Sequence, residues 1–463
     1  VGGLKMSDNS NLSQGNSLKR ELGLTAAIAI VIGNTIGSGI FMSPTSMALV
    51  SDPITTIIAW IITAIGSILL ALSFTNLASR FPETGGPIVY TKKAFGSFAA
   101  FIVSWLYWVG SWVGNAAIIT ACINYLSHFF PVLQTNGLLS FLISSAIVWG
   151  FTYINIRGVK EAGFIGIITT VLKILPLIVF LVIAFSKFDA GNFITPSGST
   201  VPHGLSTLPP AIAVALWSFV GLESCTVTAG EIKDAEKIVK KSTIIGISFA
   251  GIIYLLISIA AAGAIPQDML MSSTAPLAQI IDYVTGSSWG GNFIAIGAII
   301  STLGATSGWL MTTARSSFSA AEKNIFPKVF CKVHSKYKTP VASLVISGLL
   351  TNLLLILNYV SSLNTAFNFM ILLATLSFLP IYTLCVCAEV VLLFKKDELF
   401  TKKGFKKSLI VTLSFAYSIY AIYGSGFETV TFGFILMLLG IPFYVYMMFQ
   451  NGKLPKDAIE NKE

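Results

Sequence analysis

Two ionisable side chains stand deep inside apolar runs, Glu223 in LWSFVGLESCTV and Lys173 in FIGIITTVLKILPL. A charge held in a hydrocarbon interior is costly, so such residues mark function by default. A lone carboxyl there suits proton uptake near neutral pH, the chemistry of coupling. The plainer alternative is a neutral acid bonded to a neighbouring helix. Lys173 lies too far inside its run to snorkel to an interface. Glu389 sits close to Lys395 and Lys396 and reads as an interfacial carboxylate. Beyond these the interior offers no convergent His, Asp or Glu set, so an enzyme is not expected. Three histidines and five cysteines without metal-ligand spacing give no metal site. Cys122, Cys225, Cys385 and Cys387 read as small buried hydrophobes, and Cys331 falls in a basic loop. No cofactor is expected.

Glycines supply the second kind of chemistry. Gly33-Asn34-Thr35-Ile36-Gly37-Ser38-Gly39 interrupts one apolar run, and Trp217-Ser218-Phe219-Val220-Gly221-Leu222-Glu223 interrupts another. Glycines in a membrane helix can simply permit close packing. Unwound backbone, however, is tolerated at membrane depth only where it faces protein or a watery cavity. The half-helix after a break presents free N–H groups and a positive dipole end, which suits a carboxylate. The half-helix before it leaves free carbonyls, which suit an ammonium. Two facing breaks would therefore hold both ends of an α-amino acid without a charged side chain.

The elements that position these breaks follow from composition. Only 11% of the 463 residues are charged, against roughly 25% in soluble proteins, and 54% are hydrophobic. Such a chain is solvated by lipid, which excludes soluble enzymes, disordered chains and disulfide-stapled modules. Runs that are apolar all round also disfavour an outer-membrane barrel. A spanning helix needs roughly 20 apolar residues. Twelve stretches qualify, at approximately 23–49, 54–79, 98–127, 137–155, 163–185, 208–230, 242–264, 288–320, 341–358, 364–394, 408–424 and 429–449. No cleavable leader is read in the first stretch, which is too long for one. Val1 to Lys5 before Met6 read as a tag remnant.

With the N-terminus inside, all 29 lysines and arginines except Lys173 and Lys187 fall in inner segments. Both termini are thus expected in the cytoplasm, in a cell inner (plasma) membrane protein. The net charge of +9 reads as topology and contact with anionic lipid, not as nucleic-acid binding. The breaks fall in spans 1 and 6. An odd offset means opposite orientation in the bilayer, the mark of two inverted five-helix repeats around a central site. The expected organisation is a tag remnant and disordered N-terminus at 1–17 and repeats at 18–200 and 201–400. Helices 11–12 follow at 401–450 and a cytoplasmic tail at 451–463.

The runs IGNTIGSGIFMSP (32–44), RFPETGGPIVYTKKAFG (80–96) and LWSFVGLESCTVTAGEIKDAEK (216–237) resemble the amino acid–polyamine–organocation superfamily. LYWVGSWVGNAAI (106–118) and SGW (307–309) resemble its basic amino acid and polyamine antiporter branch. The resemblance spans Leu18 to Gln450. It implies an all-α integral membrane protein with a leucine-transporter-like fold and alternating access. The implied function is sodium-independent exchange of cationic amino acids such as arginine, lysine and ornithine, or their decarboxylation products. A neutral or broad-specificity exchanger and a proton-coupled symporter are the alternatives, a channel being disfavoured by the paired breaks.

The resemblance also implies residue roles. The backbone of Asn34 to Gly39 forms the first half of the site, with Ser38 and Gly39 at the substrate carboxylate. The carbonyls of Thr35, Trp217 and Val220 face the α-amine, with Ile36, Gly37 and Ser218 beside them. Ser111, Asn115 and Ile118 are pocket positions. Trp217 stacks on the substrate's aliphatic part and acts as a gate, Trp309 meets a cationic head face-on, and Tyr107 belongs to an outer gate. Glu223 serves coupling. Lys173 places an ammonium where other relatives hold sodium, bridging spans 1 and 8. The branch's tenth-span pocket serine is not evident, and alignment on Pro380 puts Met370 and Ile371 near its position. Ile118 and Thr35 also depart from the arginine-exchanging pattern, and the pocket faces of spans 2 and 3 carry no acid, which disfavours a diamine. A homodimer through helices 11–12 is expected.

Overall fold

Buried away from water, backbone N–H and C=O groups must pair within their own segment, and the apolar stretches of the described residues are helical. The computed structural model describes residues 22–83, 85–158, 162–194, 202–229, 232–395 and 401–450. The readings for 1–17 and 451–463 lie outside the described residues. The first span comprises α1 (Leu24–Thr35) and α2 (Ser38–Ala48), and the second is α3 (Pro53–Arg80). A short α4 (Pro87–Phe95) leads into the third span, α5 (Ser97–Phe129). After the single turn of α6 (Val132–Thr135) come α7 (Gly137–Arg157) and α8 (Ala162–Phe185). The sixth span is α9 (Leu208–Trp217) with α10 (Ser224–Val227), and the seventh is α11 (Ala235–Ala264). The loop helices α12 (Gln267–Ser272) and α13 (Pro276–Thr285) precede α14 (Ser288–Glu322). The ninth span is α15 (Val341–Leu354) with α16 (Leu357–Val360), and the tenth is α17 (Leu363–Phe394). Then follow α18 (Lys402–Gly424), α19 (Phe427–Leu438) and α20 (Gly440–Gln450).

Nine helical segments among the described residues are long and apolar enough to cross a membrane, and Thr170–Phe185 and Leu205–Trp217 are shorter apolar helices. α18 is not among the nine. Among the described residues there is no strand. A single bridge pairs Leu22 with Ile232 and ties the entry of α1 to that of α11.

The helices share one composition but differ in what covers them. α5 is sheathed along nearly its whole length and packs against α14 and α17, so it forms the axis of the bundle. α18, α19 and α20 turn Phe405, Tyr423, Phe427 and Phe449 outward, as lipid-facing helices do. α3 starts where Asp52 accepts hydrogen bonds from the Thr55 amide at 3.0 Å and the Thr55 hydroxyl at 2.7 Å. Pro53 occupies the first helical position, where its missing N–H costs nothing. The Gly204 amide reaches the same carboxylate at 2.8 Å and binds the approach to span 6 to the start of span 2.

Glu389 differs from its sequence reading. It is buried between α17 and α3, where Ser73 and Asn76 donate to its two oxygens. One turn of helix is enough to carry a side chain from the interface to a helix–helix contact, and α3 supplies the donors that make this depth tolerable.

Candidate functional site

The first break is two residues long. Ile36 leaves the helix at φ −79°, ψ 88°, and Gly37 follows at φ −123°, ψ −133°. α2 then restarts at Ser38 with no side-chain cap. Its first amides are therefore unclaimed by an intrahelical acceptor and point out of the helix end. The Thr35 carbonyl is already engaged: it accepts from the Tyr254 hydroxyl at 2.9 Å and from the Gly37 amide at 3.0 Å. A carbonyl has two lone pairs, so in this conformation it has none left for an ammonium.

The second break is longer. α9 stops at Trp217, turns with short-range bonds run through Ser218 to Glu223, and only the single turn of α10 follows. The second half of span 6 is thus much shorter than its sequence suggested. The Trp217 carbonyl accepts from the Val220 amide at 3.2 Å, while the Val220 carbonyl accepts nothing from the described residues. Gly221 takes φ +106°, a backbone region closed to most side chains, and lies against the Asn34 backbone. Asn34 donates to the Ser224 hydroxyl at 2.9 Å, a direct bond between the breaks. At Gly39 a β-carbon would stand 2.5 Å from the Ser218 hydroxyl and 2.9 Å from its Cα. The missing side chain is demanded first by the opposing protein backbone.

One small cavity collects most of the expected residues: Asn34, Thr35, Gly37, Ser38, Gly39, Ile118, Trp217, Val220 and Trp309. No lining side chain is charged. Its volume of about 20 Å³ leaves room for about one water. An amino acid enters only if the tryptophans move. The Trp217 ring rests on Gly114 of α5, where a β-carbon would come within 2.9 Å of it. Trp309 stands edge-on to Phe378 with centroids 6.1 Å apart. The cavity does not bring in Ile36, Ser111, Asn115 or Ser218. Ser111 spends its hydroxyl on the Tyr107 carbonyl at 2.6 Å. Asn115 is fully buried in α5 with both amide atoms unpartnered, and the Ser38 hydroxyl is buried without a partner as well. They are among several buried polar groups without a partner among the described residues.

The position on α17 also differs. Ala374 and Ser377 with Phe378 face Gly114 and Gly110 of α5. Met370 lies a turn away, its sulfur receiving the Thr120 hydroxyl at 3.7 Å. Ser377 returns its hydroxyl to the Leu373 carbonyl at 3.0 Å. Sequence reading missed Phe378, and one phenylalanine among 33 offers no signal.

Glu223 is fully buried and accepts from the Tyr382 hydroxyl at 2.9 Å. The Tyr107 hydroxyl faces the same carboxyl. Tyr107 lines a second cavity with Gly85, Pro87 and Arg315, on the face of the basic loops. Counting along α5 explains this, because Tyr107 precedes Ser111 and Ile118 and span 3 begins at the basic loop. Lys173 is buried, donates to the Gly33 carbonyl at 2.9 Å, and carries its Cε past Gly304 of α14.

A family model described as amino acid permease matches residues 22–448. An arginine/ornithine antiporter of Latilactobacillus sakei is 33% identical over 442 residues, covering 94% of this chain and 91% of its own. An arginine/agmatine antiporter of Chlamydia abortus is 31% identical over 450 residues, with the same two coverages of 94% and 91%. The fold is similar to that of the nucleobase-cation-symport-1 transporter MHP1, solved closed with bromovinylhydantoin bound, at a TM-score of 0.50 and 16% identity. That likeness covers 95% of this chain and 96% of the other.

Proposed function

The chain belongs to the amino acid permease family, and on that premise we propose that it is an antiporter of cationic amino acids. It exchanges arginine, lysine or ornithine for one another, or for their decarboxylated products, by alternating access. The observation that carries this reading is the single cavity walled by both helix breaks and two tryptophans, with no charged lining side chain. The α2 amides at Ser38 and Gly39 receive the carboxylate, helped by the helix dipole. The free Val220 carbonyl receives the α-ammonium. Trp309 offers its ring to the distal cation, worth up to ~2 kcal/mol when desolvated. Trp217 closes the cavity as a gate, and Asn115 and Ser38 supply the unpartnered polar atoms that a bound zwitterion can satisfy.

Lys173 occupies the joint between α1 and α14 with its own positive charge, so transport needs no sodium. Glu223 remains the deep proton acceptor. Both termini lie in the cytoplasm of a plasma-membrane protein, as the lysine and arginine bias supports. The inverted repeats at 18–200 and 201–400 rock against each other around the cavity, and α18 to α20 offer the face for a homodimer. A neutral exchanger or a proton symporter is not favoured, since the matched relatives are arginine antiporters. Counterflow in proteoliposomes tests the reading. Labelled arginine should accumulate only when arginine, ornithine or agmatine is inside, and equally well with choline in place of sodium. Uptake into vesicles without internal substrate would overturn exchange.

A further inference from the structure

The cavity on the basic-loop face has features that the central site does not explain. Its volume is about 80 Å³, and its wall is mostly apolar: Pro87 and Ile88 from α4, Val227 from α10, and one face of α14. Two polar groups in that wall are unused. The Ser316 hydroxyl is buried without a partner, and the guanidinium of the exposed Arg315 makes no ion pair or hydrogen bond among the described residues. Thr228 and Thr312, by contrast, return their hydroxyls to their own helices at 3.1 and 3.0 Å. Lys323 reaches the same wall beside Gly85, but Glu83 and Glu322 flank it. The uncompensated charge is therefore that of Arg315.

A guanidinium with a neighbouring hydroxyl donor, at the edge of a mostly apolar recess, is a receptor for a carboxylate. It is a poor one for the cationic end of a basic amino acid, which it repels. On the measure by which the central cavity holds about one water, this volume holds several, room for a carboxylate with its nearest substituents. Tyr107 belongs both to this recess and to the surroundings of Glu223. Carboxyls for the cationic tail of a basic amino acid held at Arg315 are at hand, Glu83 and Glu322 at the same wall and Glu223 buried behind Tyr107.

We propose that this recess is a second substrate station on the cytoplasmic side, with Arg315 binding the carboxylate of an amino acid before or after it occupies the central cavity. The station rests on the antiporter reading above. It gives the inner face a preference that the central cavity need not have: substrates with a carboxylate are held there, and decarboxylated amines are not.

The test measures half-saturating substrate at each face of orientation-sorted proteoliposomes. Arg315→Gln should raise the half-saturating concentration of arginine at the cytoplasmic face about tenfold, the order of one hydrogen bond to a charged group. It should leave arginine at the external face and agmatine at the cytoplasmic face unchanged. Arg315→Lys should recover most of the loss. Ser316→Ala should show a smaller shift in the same direction. Unchanged cytoplasmic affinity in Arg315→Gln overturns the station, as does an equal shift for arginine and agmatine or an equal shift at both faces. A wild type that exchanges no cationic substrate would overturn the antiporter reading itself, whereas normal exchange indifferent to Arg315 overturns the station alone.

Discussion

The ammonium of Lys173 lies 2.9 Å from the carbonyl oxygen of Gly33, one turn before the first helix break, with Gly304 of α14 against its stem. A fixed side chain thus joins spans 1, 5 and 8 where the backbone of span 1 is about to unwind. Its amine is tethered to the chain, unlike an ion.

Lys173→Ala leaves the Gly33 carbonyl without this donor, and an unsatisfied group in a dry interior costs roughly 1–3 kcal/mol. Exchange should slow more than substrate binding weakens, because the loss falls on the hinge of span 1 rather than on the cavity. Uptake in choline medium should equal uptake in sodium for the wild type. Strict sodium dependence would contradict the role given to the lysine.

Trp309→Leu should weaken binding of arginine and lysine by about 0.5–2 kcal/mol, the scale of a cation over an indole. Calorimetry on the purified protein checks this directly. Unchanged affinity for every cationic amino acid would remove Trp309 from the site.

Gly39→Ala should already abolish uptake, without any need for a larger side chain. Its β-carbon would fall 2.9 Å from the Ser218 Cα, a backbone atom that cannot step aside. Adding Ser218→Ala removes the hydroxyl contact at 2.5 Å but not this one, so the double variant should recover little. Full recovery would mean that the two breaks are freer to part than their packing implies.

Any pH dependence of exchange should flatten in Glu223→Gln and persist in Lys173→Ala. The comparison is made by titrating uptake on both faces in parallel. A profile unchanged by Glu223→Gln would move proton sensing elsewhere.

Asp52 gives a stability prediction outside the spans. Burial favours its neutral form, but the hydrogen bonds from the Thr55 amide and hydroxyl and from the Gly204 amide outweigh this and hold its carboxyl below the usual aspartate range. A lowered folded-state value contributes stability that is present above about pH 4 and is lost as pH falls through the folded value. Asp52→Ala should therefore lower the melting temperature at pH 7, on the scale of about 1 kcal/mol for a helix cap. The gap to wild type should narrow below about pH 4. Thermal melts in detergent at both pH values would show it.

The parts of the site that could be read from sequence are those where a residue type contradicts its surroundings. Ile36-Gly37-Ser38-Gly39 inside an apolar run betrays an unwound backbone, and Lys173 inside another betrays a buried charge. Helix placement was legible for the same reason, since unbroken apolar length has few solutions in a bilayer. The unread parts depend on how helices register against one another. The choice of Ala374 and Ser377 over Met370 on α17 is set by contact with Gly110 and Gly114 of α5. The depth of Glu389 is set by Ser73 and Asn76 on α3. The place of Tyr107 beside Glu223 and Tyr382 is set by the packing of α5 against α17.

Phe378 meets Trp309 and Tyr107 edge-on, at 6.1 and 5.4 Å, and leans on Tyr382 at 6.2 Å. A ligand that pushes the Trp309 ring out of so small a cavity therefore disturbs the packing of Tyr107 and of the tyrosine that bonds Glu223. An empty cavity delivers no such push. A carrier wired in this way reorients when loaded and stalls when vacant, and that difference separates a swap from a leak.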